Sequence, residues 1–265
     1  MALISNNDSH LKYLTTYNFE NKVRFGNNHD GGYICADLSP YDCYLSIGVG
    51  YDESFSSDLI NKYEMVKENC FAFDGTISSL PYNFPDNMTF VNKNIGTVNT
   101  DITDTLDNYF NKYSSIFMKM DIEGYEYEYI LSLPLDNLKK IKQLVMEIHG
   151  INDNGFIGNT TTPIYVSGFS MEESFVKKVE FFKKLSETHY LVHVHANNGG
   201  KYTIIDGHCI PNVVEVSYVR KDEFSDIPKL NTIPFPLKDL DYINYTHPEL
   251  PPNPSLNYSP FCFTK

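Results

Sequence analysis

Residues Ile116 to Glu128 read IFMKMDIEGYEYE, an apolar run that stops at an acid, passes a glycine and continues in a helix-like pattern. Ile116, Phe117, Met118 and Met120 suit a strand buried on both faces, and Gly124 with Glu123, Glu126 and Glu128 suits the turn into a helix. This places Asp121 at the carboxyl end of a strand. In open α/β sheets, ligands bind in the crevice outside those ends.

The same alternation extends in both directions. Upstream, Tyr44 to Gly50 (YLSIGVG) is an apolar strand breaking into a glycine turn, Glu53 to Tyr63 reads as a helix, and Cys70 to Phe73 is a second strand closed by Asp74. Phe90 to Ile95 is a third strand and Asp101 to Tyr109 a helix with acids in its first turn, where the helix dipole favours them. Downstream, Tyr125 to Leu133 is helical and Leu144 to His149 (LVMEIH) is a fifth strand. Met171 to Leu185 is an amphipathic helix, and Tyr190 to His195 (YLVHVH) a sixth strand. Tyr202 to Ile205 and Val213 to Val219 read as a closing antiparallel pair. Strands alternating with helices predict an α/β fold: a doubly wound, mostly parallel sheet with right-handed crossovers.

The outer segments are read as parts of one domain, 1 to 265, with its core at about 23 to 222. Leu11, Tyr13, Leu14 and Tyr17 are at helical spacing and predict an N-terminal helix within residues 1 to 22. Residues 150 to 170, rich in Gly, Asn and Thr, are read as a substrate lid, because structureless loops of that length in a compact domain are commonly functional. From 223 to 265 the chain becomes proline-rich without periodicity and is expected to wrap the surface.

Composition narrows the partners. A formal charge of −13 over 265 residues does not provide a surface for neutralising phosphates, which argues against nucleic acid. No apolar run approaches the length of a membrane span and no secretion signal is visible, so a cytoplasmic protein without membrane insertion is expected. Five cysteines without a C-x-x-C spacing suit reduced thiols. A homo-oligomer is left open.

Three sets of residues carry chemistry. Gly48 and Gly50, followed by Asp74 at the end of the next strand, describe an adenosine-type nucleoside pocket, since an acid there takes ribose hydroxyls. Asp121, Glu147 and His149 share the sheet rim, Glu147 and His149 being two apart and on one side of their strand. With His195 they form a mixed oxygen and imidazole set suited to a divalent transition metal such as iron, manganese or zinc. His193, nearer the middle of its strand, is read as a hydrogen-bonded core residue. Lys119 lies on the same side as Asp121 and is a further catalytic candidate or an ion-pair partner for a neighbouring acid.

Taken in order, VRFGNNHDGGYIC, YLSIGVGYD, FAFD, TLDNYF, MKMDIEGYE, LVMEIHG, LVHVHANN and VVEVSYVRKD resemble the FkbM-type and related class I methyltransferases that use S-adenosylmethionine, over about Val23 to Asp222. The resemblance implies a seven-stranded Rossmann-like sheet whose antiparallel last strand, Val213 to Val219, inserts between strands five and six. It implies S-adenosylmethionine under the Gly48 to Gly50 turn, Asp74 on the ribose, and the turn of Asp30, Gly31, Gly32 and Tyr33 near the methionine end, with Asp121 close by. It also implies methylation of a sugar hydroxyl, on a nucleotide-activated sugar or a glycan, as in bacterial surface polysaccharide. Tyr51 and Asp52 after Gly50 depart from the family's usual loop. A bound metal would acidify the acceptor hydroxyl; without one, His149 or His195 would be the general base, oriented by Asp121 or Glu147. The alternatives are an O-methyltransferase of a small phosphorylated or phenolic metabolite and, from another class, an NAD-dependent oxidoreductase. The latter would be expected to show G-x-G-x-x-G, where this chain has Glu53.

Overall fold

The computed structural model describes residues 9–152, 156–157, 174–200, 202–205, 207–246 and 254–263. Its elements run β1 (Lys22–Phe25), β2 (Tyr33–Ala36), β3 (Cys43–Ile47), α1 (Ser54–Lys62), β4 (Cys70–Phe73), β5 (Thr89–Val91), β6 (Asn94–Ile95), β7 (Thr103–Asp104), α2 (Asp107–Lys112) and β8 (Ile116–Met120). They continue α3 (Glu126–Ser132), α4 (Leu135–Leu138), β9 (Ile141–His149), α5 (Phe175–Thr188), β10 (His189–Ala196), β11 (Tyr202–Ile205), β12 (His208–Pro211) and β13 (Val213–Arg220).

Seven strands form one mixed sheet in the order β10-β13-β9-β8-β3-β4-β5. The pairs from β9 to β5 are parallel, and β13 runs antiparallel to both β9 and β10. The all-buried runs in β3, β8 and β9 explain the arrangement: strands apolar on both faces must be covered twice. Leu45, Met118, Leu144, Met146 and Val216 pack on one side with Tyr127, Phe181, Phe182 and the N-terminal Leu11 and Leu14. Tyr44, Phe117 and Val145 pack on the other with Phe55, Leu59 and Ile60 of α1 and Phe25, Tyr33 and Cys35 of the β1–β2 hairpin. Each large apolar side chain fully buried in these layers contributes about 1.5–3 kcal/mol.

Several expectations are corrected. The N-terminal helix is a 3-10 turn at Ser9–Leu14, seated by the buried Leu11 and Leu14. The helix expected over Asp101 to Tyr109 is replaced by β7 and the shorter α2. The reason is local: Thr100 Oγ1 accepts from the backbone N–H groups of Ile102 and Thr103, and Asn99 Oδ1 from that of Thr105, so side chains take the place of a helical ladder. The third strand divides into β5 in the main sheet and β6, which pairs with β7. β11 pairs with β12, leaving β13 to fill the gap between β9 and β10. The helix expected from Met171 is described from Phe175, where the Ser174 side chain accepts from Lys177 N–H. Most of the stretch read as a lid, 153–155 and 158–170, lies outside the described residues.

The C-terminal segment is irregular, as expected, but it is more than a surface wrap. Phe235, Leu256, Tyr258 and Phe261 are buried in the main core, and Asn231 N–H donates to Thr16 O at 2.9 Å. Among the described residues no helix is long and apolar enough to cross a membrane.

Candidate functional site

Ile47, Phe73 and Met120 end β3, β4 and β8 at one edge of the sheet, where a cleft of about 920 Å3 opens. Two backbone bonds bring these ends together: Gly48 N–H donates to Phe73 O at 3.0 Å, and Asp121 N–H to Ile47 O at 2.9 Å. Gly48 has φ +83, and a Cβ there would lie 1.8 Å from Asp121 O, so a side chain cannot be accommodated. Gly50, at φ +59, faces open space, which leaves its backbone accessible to a ligand.

Asp30, Gly31, Tyr33, Gly48, Gly50, Asp74, Lys119 and Asp121 all line this cleft. Gly32 does not; a Cβ on it would meet Asn27 O at 2.0 Å and the Arg24 guanidinium at 2.5 Å, so its role is packing of the turn. Asp74 is held from within the chain. One carboxylate oxygen accepts from the N–H groups of Val49 and Gly50 at 3.1 and 3.3 Å, the other from the Thr76 N–H and hydroxyl at 2.8 and 2.6 Å. Burial works to raise its pKa, but these hydrogen bonds, those of Thr76 first, outweigh burial and hold it below its ordinary value. Asp74 therefore braces the glycine turn, and a ribose would have to exchange with one of these donors.

No protein-family model and no curated protein matches this chain.

The metal-ligand set read from the sequence is divided by the structure. Asp121 and His149 come together with Glu123, a residue not singled out beforehand, their ligand atoms all within 4.8 Å of one another. Glu147 instead groups with Asp30 and Glu215. Glu147 and Glu215 are direct cross-strand partners on β9 and β13, and Glu215 and His195 on β13 and β10, so one row of the sheet face carries all three. The Tyr33 hydroxyl joins the two groups, 3.2 Å from Asp121 Oδ2 and 3.4 Å from Glu147 Oε2. Burial, and then Asp121, push the Glu147 carboxyl well above the usual carboxylate range. Burial also raises Glu215, to about 7, against the opposing pull of His195.

His149 is surrounded by acids. Its Nε2 lies 3.2 Å from Glu123 and 3.6 Å from Glu147, and its Nδ1 3.4 Å from Glu126. Burial disfavours its charge, yet Glu123 and Glu126 overcome burial and push its pKa up to about 11. An imidazolium has no lone pair to receive a proton, so in this ion-free arrangement His149 does not fit the role of general base. Glu126, also missed in the sequence, is fully buried and accepts from the N–H groups of Ile122 and Gly124, both at 2.9 Å.

His195 is the main correction. Its Nδ1 lies 3.2 Å from Asp241 Oδ1 and its Nε2 3.1 Å from Asn244 Oδ1, while Asn244 donates onward to Glu215. Both ring nitrogens thus face oxygens of the C-terminal segment; burial works to lower the pKa of the ring, but Glu215 and Asp241 raise it. His195 does not join the group of Asp121, Glu123 and His149. His193 donates from Nε2 to the same Asp241 at 2.9 Å, as a buried hydrogen-bonded core residue. Among the described residues Lys119 forms no ion pair with a neighbouring acid. Its ammonium donates to Gly48 O at 2.8 Å and stands over the Tyr33 ring, supporting the glycine turn.

Proposed function

We propose that the chain is a class I, Rossmann-like S-adenosylmethionine-dependent O-methyltransferase acting on a sugar hydroxyl. The observation that carries this is the strand order, in which antiparallel β13 separates β9 from β10 while the cleft opens at the carboxyl ends of β3, β4 and β8. That order matches the arrangement implied by the resemblance, and an open α/β sheet takes its ligand at this edge. When bound, S-adenosylmethionine supplies an electrophilic methyl group that the acceptor oxygen must meet in line.

The residues divide the work by position. Gly50 leaves room for the cofactor backbone contacts, and Asp74 sets the shape of the turn that receives them. Asp121, whose carboxylate faces the cleft beside the Tyr33 hydroxyl, orients the acceptor hydroxyl and receives its proton. Asp121, Glu123 and His149 are a mixed oxygen and nitrogen donor set that fits a divalent transition metal, with His149 giving up a proton to bind it. Such a metal would supply acidification of the acceptor hydroxyl. Glu126 fixes the Ile122–Gly124 turn that presents Glu123.

The deciding experiment is calorimetric binding of S-adenosylmethionine to the full chain, followed by transfer of labelled methyl to saccharides with and without a strong chelator. Saturable binding is expected, with transfer that chelator stops and added metal restores. Binding of NAD and not of S-adenosylmethionine would overturn the reading. Transfer indifferent to chelator would keep methyl transfer and remove the metal from it. Asp74→Ala is expected to weaken cofactor affinity by about tenfold, equivalent to about 1.4 kcal/mol.

A further inference from the structure

Among the described residues, the cleft has little of what proteins use to bind phosphate. Among the described lining residues Lys119 is the one lysine or arginine, and its ammonium is turned towards Gly48 O and the Tyr33 ring. Against it stand Asp30, Asp52, Glu53, Asp74, Asp121, Glu123 and Glu128, of which Asp30, Glu123 and Glu128 are exposed at the mouth.

Part of the backbone is closed to anions as well. α/β clefts ordinarily bind phosphate through free N–H groups at glycine turns and helix N-termini. Here the chain's own carboxylates accept from several of these groups. Asp74 takes Val49, Gly50 and Thr76, Asp52 takes Ser54 at the start of α1, and Glu126 takes Ile122 and Gly124 ahead of α3. An incoming phosphate meets carboxylates in place of an amide cradle.

What the cleft does offer suits a neutral polyol. Tyr51 is 93% exposed and Tyr125 50% exposed, and both line the cleft with flat apolar faces for the C–H side of a sugar ring. Carboxylates accept hydrogen bonds from hydroxyl groups. Resting on the methyl-transfer reading above, we infer that the acceptor is a phosphate-free saccharide and that nucleotide-activated sugars are excluded from this site.

The test uses the full chain, with the phosphate titrations made in the absence of added metal. Inorganic pyrophosphate, UDP and UDP-glucose are titrated by calorimetry, and methyl transfer to a panel of methyl glycosides and neutral oligosaccharides is compared with transfer to UDP-sugars. The expected result is no saturable binding of pyrophosphate or UDP below millimolar concentration. Transfer to neutral saccharides is expected to be at least about 10-fold faster than to UDP-sugars at low salt, the gap narrowing as salt shortens the screening length. Glu128→Lys should narrow the same gap several-fold. Sub-millimolar binding of pyrophosphate or UDP, or preferred transfer to a UDP-sugar, would overturn the inference. So would transfer to a basic peptide with none to any saccharide. Failure to bind S-adenosylmethionine would sink the methyl-transfer reading instead, and the pyrophosphate titration still decides whether the cleft admits phosphate.

Discussion

Two acid and histidine clusters lie near one another on the same sheet, and they are opposites. Around His149, one imidazole is surrounded by Glu123, Glu126 and Glu147. Around Asp241, one carboxylate is shared by His193 and His195. In the first, the surplus of acid holds the imidazole charged and leaves carboxylate oxygens facing the cleft. In the second, burial acts to raise Asp241, but His193 and His195 hold it well below its usual range, and its carboxylate is taken up by those two rings and the Leu237 N–H. The same residue types at the same i, i+2 spacing thus give a site open to a ligand in one place and a closed fastening of the C-terminal segment in the other. Stoichiometry of donors and acceptors, more than residue type, separates them.

The contrast can be broken at either end. Asp121→Asn is expected to lower methyl transfer by about 10²–10⁴-fold with cofactor affinity and melting temperature nearly unchanged, measured by initial rates, calorimetry and thermal denaturation. A variant retaining half its rate would remove Asp121 from the chemistry. Asp241→Ala should do the reverse. It leaves two buried imidazoles without their acceptor and should cost about 3–5 kcal/mol in chemical denaturation, while cofactor binding persists under conditions where the variant is folded. Glu126→Ala falls between the two: it strands two N–H groups and should cost about 1–3 kcal/mol. It should also weaken metal binding, since the turn carrying Glu123 loosens.

The smallest effect sharpens the comparison through pH. Burial, opposed in part by Asp241, lowers the pKa of His193 from 6.5 to about 4. Between these values the unfolded chain binds the extra proton, so His193's share of stability is present above pH 6.5 and is lost as pH falls towards 4. His193→Gln should flatten denaturation free energy across that window relative to the unsubstituted chain. An unchanged slope would mean that folding does not lower the pKa of His193.

Much of the fold was legible because its strands are apolar on both faces, so β3, β4, β8 and β9 announce themselves as uninterrupted runs. The cleft followed from where those runs end, at Gly48, Asp74 and Asp121. What was not legible depends on side chains meeting backbone or distant segments. Thr100 and Asn99 replace a helix with β7 through bonds that no hydrophobic period records. Asn244 and Asp241, far along an irregular tail, occupy His195 in a way its strand spacing cannot reveal. Glu123 and Glu126 read as ordinary acids in a first helical turn; only the position of β9 beside β8 shows that both reach His149. The spacing of Asp121 and Glu123, two apart beyond a strand end, was the one available signal.

The two rims of the main sheet are also unlike in how they are finished. β5, at one rim, has three residues, while β10, at the other, has eight. A long outer strand presents unpaired peptide groups to any similar strand it meets. Here Tyr17 N–H donates to Leu191 O at 2.8 Å, and Thr16 forms a bridge to the same residue, while Asn231 and Pro260 bind Thr16 in turn. The first and last parts of the described chain thus form a selvedge along β10. Leu11 and Leu14, buried in the main core, anchor that border, so the outer strand's peptide groups are covered by chain that is itself part of the interior.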